Sequence, residues 1–276
     1  MERLRVLTLN IWHKQEPWEA RAALIRRGLS ELSPDVVGLQ EVLVSHTGAG
    51  SQNLADQLDP EDLYQRRFAS ARDIGPYLSF GNALFSRWPI LEDARLPLPG
   101  EESGETRSSL YALLDSPHGR LPVFVTHLNW KLNHGAVRVR QVRALVDQVH
   151  ERCRGQKLLP AVILGDFNAE PEADEIRYLR GHATLEGRSE YFADAWAWAG
   201  DGSPGHTFDR RNSYAARSHE PPRRLDYIFV RGPDEQLRGE PLETRLVFDA
   251  PEGDVWASDY FGLYTELAMS PRVAGT

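Results

Sequence analysis

Short apolar runs that end abruptly at polar residues punctuate this chain. Leu4 to Leu9 stops at Asn10, Val36 to Leu39 at Gln40-Glu41, Val123 to Val125 at Thr126-His127, and Ala161 to Leu164 at Gly165-Asp166-Phe167-Asn168. Runs of this length bounded by turn-forming residues predict buried strands. Between the first two, Trp18, Ala22, Ile25, Leu29 and Leu32 recur at helical spacing, and Ser33-Pro34-Asp35 predicts the stop. Val137, Val142, Leu145, Val146 and Val149 mark a second long helix, with Arg138, Arg140 and Arg143 read largely onto its other faces. Pro171 and Gly181 bracket a shorter helix over Glu172 to Leu179.

The middle of the chain has another texture. From Tyr64 to Leu128 it reads as strands and turns, and Ser109–Leu114 and Leu121–Leu128 flank Asp115-Ser116-Pro117-His118-Gly119, a hairpin signal. Leu96 to Glu102 and the polar stretch Gly200 to Arg223 read as loops. A Gly/Ser/Gln stretch spans Gly48 to Gln52, with a short helix expected near Leu54–Leu58. Further strands are expected over Leu225–Val230, Phe261–Leu267 and near Arg245–Phe248. Strands with helices at separated places predict an α/β fold of two packed, mostly antiparallel sheets with helices outside. No repeat or low-complexity linker divides residues 1–276, so one domain is expected. Gly-rich nucleotide loops are absent.

Composition changes this picture in two ways. The formal net charge of -8 argues against tight nonspecific binding to a long polyanion, while leaving room for a local basic patch. The lone Cys153 excludes an intrachain disulfide, reads as a small filler late in a helix, and suits a reducing compartment. Neither a basic-then-apolar leader nor an apolar run approaching about 18 residues is present, so the cytoplasm is the expected address.

The strand ends carry the candidate chemistry. Glu41 at the end of an apolar strand is costly unless a cation or donor meets it, which makes it the first metal-ligand candidate. Asp166 and Asn168 flank Phe167 as two inward polar groups, suited to holding a water and to donating to a phosphate oxygen. Each candidate has a plainer reading: a loop charge for Glu41, turn chemistry for Asp166, a polar strand cap for His127. Asp226 reads as a strand residue paired with Arg223 or Arg224, and Ser258-Asp259 as a turn cap. A converging set of Asp, Glu, Asn and His is nevertheless what a hard, oxygen-loving cation and a phosphate require.

Asn10, Gln40-Glu41, Thr126-His127-Leu128, Gly165-Asp166-Phe167-Asn168, Arg224-Leu225-Asp226-Tyr227 and Ser258-Asp259 follow one another in an order that resembles the endonuclease/exonuclease/phosphatase superfamily, the deoxyribonuclease-I-like, Mg-dependent phosphoesterases. Ser86-Arg87-Trp88-Pro89-Ile90, Glu105-Thr106-Arg107 and Arg138 with Gln141 are lesser echoes. The resemblance implies a four-layer α/β sandwich and in-line hydrolysis of a phosphoester. It implies that Glu41 and Asn10 hold Mg²⁺ (with Mn²⁺ or Ca²⁺ as substitutes) and that Asp259 supports the metal. Asp166 would orient or deprotonate the attacking water, while Asn168 and His127 would contact the phosphate. Gly205-His206-Thr207-Phe208 and Asn212-Ser213-Tyr214 look most like the sphingomyelinase and small-phosphodiester branches. A small or lipid-derived phosphoester is therefore expected ahead of nucleic acid, acted on by a monomer. Trp196 and Trp198 read as core or rim, and no exposed aromatic hairpin is evident.

One position departs from the pattern. Tyr260 follows Asp259 where the resemblance calls for a His that would pair with Asp226. A neutral phenol donates one hydrogen bond and offers no imidazolium. Three readings compete: Tyr260 serves as a neutral donor, His206 or His219 fills the gap, or the chain is an inactive phosphate binder.

Overall fold

β1 (Arg3–Asn10) is buried at every position from Val6 to Asn10, because layers cover both of its faces. The computed structural model describes residues 2–47, 50–59 and 61–270, so Met1 and the Gly48-Ala49 part of the Gly/Ser/Gln stretch lie outside the described residues. After β1 come α1 (Trp18–Leu32), β2 (Val36–Thr47), β3 (Gly50–Asn53), β4 (Gln65–Ile74) and β5 (Leu78–Ser86). β6 (Ile90–Leu98), β7 (Arg107–Ser116), β8 (Gly119–His127), α2 (Gly135–Cys153) and β9 (Val162–Asp166) form the middle. α3 (Asp174–Leu179), β10 (Ala193–Asp194), α4 (Ala195–Ala199), β11 (Asp226–Val230), β12 (Pro241–Val247) and β13 (Gly262–Ala268) complete it.

The strands form two sheets, one ordered β12-β13-β1-β2-β5-β4 with β3 added on β2, the other β10-β11-β9-β8-β7-β6. Among the described residues only β1–β2 and β8–β9 pair in parallel, and each is bridged by a long helix, as parallel neighbours require. Leu4, Val6, Val36, Leu84, Val125, Leu164 and Ile228 face one another between the sheets. Leu7, Leu9, Val37 and Phe85 pack outward on Trp18, Ala22, Ile25 and Leu29 of α1. Phe124, Ile163 and Phe229 pack on Val142, Leu145 and Val149 of α2, with Ile176 and Leu179 of α3. The result is helix, sheet, sheet, helix: the four layers expected.

The parity of the strands decides what meets between the sheets. Side chains alternate faces, so Asn10 follows Leu4 and Val6, His127 follows Val125, Asp166 follows Leu164, and Asp226 precedes Ile228. Register then aligns them: Asn10 lies beside Gln40, while His127 and Asp226 flank Asp166 on either side. Gly165 is required at this point. Its φ is +143°, and an added Cβ would sit 1.9 Å from the Thr126 carbonyl oxygen of the neighbouring strand.

Several sequence expectations need correction. β2 runs on to Thr47 through a register shift between Leu39 and Val42, and β6 extends through Leu98 into what reads as a loop. α3 starts at Asp174 rather than Glu172, and the 200–223 loop contains a 3₁₀ turn at Ala215–Ser218. Arg138 is buried on the inner face of α2, where it bridges Glu175 at 2.7 Å. Trp196 is buried and Trp198 exposed. The β4–β5 hairpin presents exposed Ile74 and Tyr77 at its tip, a feature that strand periodicity does not reveal. Among the described residues no helix is long and apolar enough to cross a membrane.

Gly165→Ala is expected to destabilise by about 3 kcal/mol or more, since backbone must move to admit the methyl. Urea unfolding measures this, and a loss below about 1 kcal/mol would contradict the registered strand end.

Candidate active site

At the end of β9 the Asp166 carboxylate is fully buried and shared by three partners. Oδ1 accepts the Asn168 backbone N–H at 2.8 Å, Oδ2 accepts the Asn10 amide at 3.1 Å, and His127 Nε2 lies 3.5 Å from Oδ2. The same Asn10 amide nitrogen donates to Glu41 Oε1 at 3.2 Å. One amide thus ties a carboxylate of one sheet to a carboxylate of the other. Glu41 reaches this point because the β2 bulge gives it φ +62°, an uncommon conformation for a side-chain-bearing residue. Asn168 and Trp12 also have positive φ, at 51° and 53°. The Asn168 amide donates to the Leu128 carbonyl at 3.2 Å, and Trp12 N–H donates to Asn10 Oδ1 at 3.0 Å.

The last segment closes over this group. Ser258 Oγ donates to the Asn10 carbonyl at 2.6 Å, lies 3.2 Å from Asp259 Oδ1, and accepts Tyr260 N–H at 3.3 Å. Tyr260 packs its ring on Phe208 at a centroid distance of 5.0 Å. Thr207 Oγ1 accepts the backbone N–H groups of Leu225 and Asp226, both at 3.1 Å. Asn212 donates to the Ser258 carbonyl at 2.8 Å, which locks the 200–223 loop onto the site.

Asp226 differs from its sequence reading. Arg224 is held by Asp194, with Nη1 and Nη2 each 2.9 Å from a carboxylate oxygen, and Arg223 is bonded to Glu220. Both oxygens of Asp226 are buried without a partner. His206 stands 4.0 Å from Asp209, and His219 is exposed, so neither bonds Asp226 in place of the expected His.

Burial dominates the electrostatics. It pushes the Asp166 carboxyl up to about 6, opposed by the Asn10 amide and the Asn168 N–H and reinforced by the charge of Glu41. Glu41 is raised by burial against the same Asn10 bond. Asp226 is raised well above the usual carboxylate range by burial and then by Asp166, and Asp259 by burial and then by Glu41. Burial, with the Arg107 charge adding to it, drives His127 well below its ordinary value, so His127 is a neutral group at pH 7. The Tyr260 phenol is raised well above 10 by burial and by Asp166, Asp259, Asp226 and Glu41, and is likewise neutral.

Four carboxylates therefore converge without equivalent positive charge, and Asp226 has no hydrogen bond of good geometry, with only the Thr207 hydroxyl easing its charge. This is the chemistry that a divalent cation satisfies. Among the described residues no group of three or more His, Cys, Asp or Glu forms a ready cage. Mg²⁺ suits such a lean site, since it keeps several waters and takes one or two carboxylates. Glu41 fits as its carboxylate ligand. Asn10 presents its nitrogen to both carboxylates, so ligation through Oδ1 needs the amide to turn and release Trp12 N–H.

All the predicted residues meet here: Asn10, Glu41, His127, Asp166, Asn168, Asp226, Asp259 and Tyr260. Thr207, Asn212 and Arg107 stand in motifs that the sequence offered as family echoes, but with no role at the site assigned to them. Arg107 is 5% exposed, with Nε and Nη1 buried and unpartnered. Sequence reasoning passed over a stack that braces Asn10, in which Trp12 lies between the Arg21 guanidinium, 5.0 Å from its ring centroid, and Tyr214, at 5.1 Å.

The profile of the Endonuclease/Exonuclease/phosphatase family matches residues 7–259, a span that runs from β1 through Asp259. The chain belongs to this family. No curated protein sequence matches it. Truncated TDP2 of Caenorhabditis elegans is 18% identical with a TM-score of 0.74, over 96% of this chain and 97% of that one. TDP2 of D. rerio complexed with single strand DNA product is 20% identical with a TM-score of 0.74, over 97% and 100%. The human Nocturnin catalytic domain with bound sulfate anion is 21% identical with a TM-score of 0.71, over 96% and 93%. Such identities speak for the shared deoxyribonuclease-I-like fold alone. Membership in this phosphoesterase family makes the chain an enzyme of hydrolytic type in general terms.

Asp226→Asn is expected to raise stability at pH 8 by about 1 kcal/mol or more, because it removes a buried charge without a partner. The thermal midpoint in EDTA should rise by about 2–4 °C, and a fall would show that the carboxylate is already compensated.

Proposed function

We propose that this protein is a divalent-cation-dependent phosphoester hydrolase, with Mg²⁺ the expected ion, acting by in-line attack of water. The observation that carries the reading is the Asn10 amide held between Glu41 and Asp166, with Asp226 buried and unpartnered beside them. Glu41 and the Asn10 amide oxygen would hold the ion, and Asp259 would sit behind them. When bound, such an ion supplies Lewis-acid polarisation of a phosphoryl oxygen and stabilises the leaving oxygen. Asp166 would orient a water and take its proton, a role supported by the Asn168 N–H that fixes its Oδ1. Asn168 and neutral His127 would contact phosphoryl oxygens as uncharged groups, the Asn168 amide then leaving the Leu128 carbonyl. Tyr260 can donate one hydrogen bond where an imidazolium would otherwise stand.

A small or lipid-derived phosphodiester is the favoured substrate, supported by the acidic balance of the chain. Nucleic acid is the second reading, favoured by exposed Trp130 beyond the end of β8 and by the exposed aromatic tip of β4–β5. Tyr260 favours a third: a pseudoenzyme that binds a phosphorylated ligand without turning it over.

Hydrolysis of bis(4-nitrophenyl) phosphate is expected to need Mg²⁺ or Mn²⁺ and to vanish in EDTA. Glu41→Ala and Asp166→Ala should each lower kcat by about 10²–10⁴. Activity that survives EDTA or both substitutions would falsify the reading. Cleavage of single-stranded DNA but not of small diesters would reverse the order of substrates, and phosphate binding without turnover would favour the pseudoenzyme.

A further inference from the structure

Away from the strand ends that carry the candidate chemistry, four side chains form a row of hydrogen bonds across β3, β2, β5 and β4, which are neighbours in that order. Ser51 on β3 stands directly opposite His46 on β2, and Asp73 on β4 directly opposite Ser79 on β5. Ser79 is paired with Val44, two residues before His46 on the same face, so the imidazole reaches it diagonally. His46 Nδ1 lies 2.9 Å from Ser51 Oγ, and Nε2 lies 2.9 Å from Ser79 Oγ. Ser79 Oγ donates to Asp73 Oδ1 at 2.7 Å, and Ser70 Oγ donates to the same oxygen at 2.9 Å.

The carboxylate end of this row sets the direction of every proton in it. The Ser79 and Ser70 hydroxyls hold the Asp73 carboxyl below the usual carboxylate range, so it is ionised at pH 7 and only accepts. Ser79 gives its one hydrogen to Asp73, which leaves its oxygen to accept Nε2–H of His46. In the neutral ring Nδ1 is then bare, and it accepts the Ser51 hydroxyl proton. A hydroxyl bonded to a bare imidazole nitrogen, on a ring oriented by an anion, is the arrangement that activates a serine nucleophile.

The surroundings suit an apolar reactant. Ser51 and His46 are exposed, and the His46 N–H donates to the Tyr77 carbonyl at 2.8 Å. Tyr77 and Ile74, 71% and 43% exposed, close the turn between Asp73 and Ser79, so a ring and a branched chain flank the row on its open side.

We propose that Ser51 is a nucleophilic serine that takes the acyl group of an activated ester with an apolar acyl chain. Ser51 Oγ attacks the carbonyl carbon as its proton passes to His46 Nδ1. The tetrahedral adduct expels the alcohol, which leaves with that proton, and acyl-Ser51 remains. Water activated by the same nitrogen then releases the free acid and restores the serine. Ser79 and Asp73 are positioning residues that fix the tautomer of His46. Five residues of β2, about 16 Å, separate His46 from Glu41, so this site is independent of the phosphoesterase reading.

The test incubates the full chain with 4-nitrophenyl octanoate, follows 4-nitrophenolate release and locates the acylated peptide by mass spectrometry. The expected result is a burst of about one equivalent with the acyl group on Ser51, absent in Ser51→Ala. His46→Gln should lower the acylation rate about a hundredfold. Ser79→Ala and Asp73→Asn should each lower it about tenfold, with recovery in Ser79→Thr and Asp73→Glu. 4-Nitrophenyl acetate should react about tenfold more slowly than the octanoate, and Tyr77→Ser should remove that preference. Thermal midpoints show that each variant is folded, and if Ser79→Ala is not, the exposed His46→Gln carries the comparison.

The absence of a burst, acyl groups spread over other side chains, or acylation of Ser51 in His46→Gln within about twofold of the parent rate would overturn the assignment. Equal rates for the two esters would overturn its apolar preference.

Discussion

Like charges brought together in a dry place are the constraint on which this protein is built. Glu41 comes from one sheet and Asp166 and Asp226 from the other, and Asp259 arrives on the closing segment. Asp166 and Asp226 are direct cross-strand neighbours, an arrangement that repels unless something neutralises it. The Asn10 amide donates to a carboxylate of each sheet, Glu41 and Asp166. Much of the surrounding architecture serves to hold that amide: Trp12 N–H fixes its oxygen, Ser258 fixes its backbone carbonyl, and the Arg21–Trp12–Tyr214 stack braces the turn that follows. A fold that tolerates this repulsion gives up stability at the site, and the proposed cation-dependent hydrolysis is one function such a cluster suits.

The legible part of the structure is the part governed by local pattern. Apolar runs with polar ends gave away β1, β2, β8 and β9, since a strand buried on both faces has few ways to stop. Because side-chain direction alternates along a strand, the residues that close those runs share the inter-sheet face with the core, and the candidate site follows from the strands. The helices α1 and α2 were legible through their spacing for the same reason. What the pattern lacks is partner choice. Asp226 sits two residues after Arg224, yet Arg224 belongs to Asp194, thirty positions earlier in the chain. Arg224 lies before β11, which starts at Asp226, so spacing along the chain does not bring the two side chains together. Glu105-Thr106-Arg107 is visible as a family echo, but that Arg107 is buried, with Nε and Nη1 unpartnered, follows only from the packed sheets.

The long polar stretch from Gly200 to Arg223 shows how composition misleads. Its residues are those of a loop, but Thr207, Phe208, Asn212 and Tyr214 each anchor something at the site: the Asp226 backbone, the Tyr260 ring, the Ser258 carbonyl and the Trp12 ring. Gly205 lets this segment pass against Trp196, where a Cβ would come within 2.3 Å of the ring. Apart from the 3₁₀ turn at Ala215–Ser218, the segment is held by bonds within itself, Phe208 paired with Arg223 and Asn212 with Asp209, and by outward bonds to Leu225, Asp226 and Ser258, so it forms a wall of the site.

The account turns on a cation seated where the Asn10 amide joins the two sheets. Crystals of the full chain soaked with Mn²⁺ provide the direct measurement, through the anomalous signal of the ion. The account predicts a peak within coordination distance of Glu41, abolished in Glu41→Ala crystals. Saturating Mn²⁺ that gives no peak there, or one bound away from Glu41 with the Asn10 amide still bridging to Asp166, would contradict it.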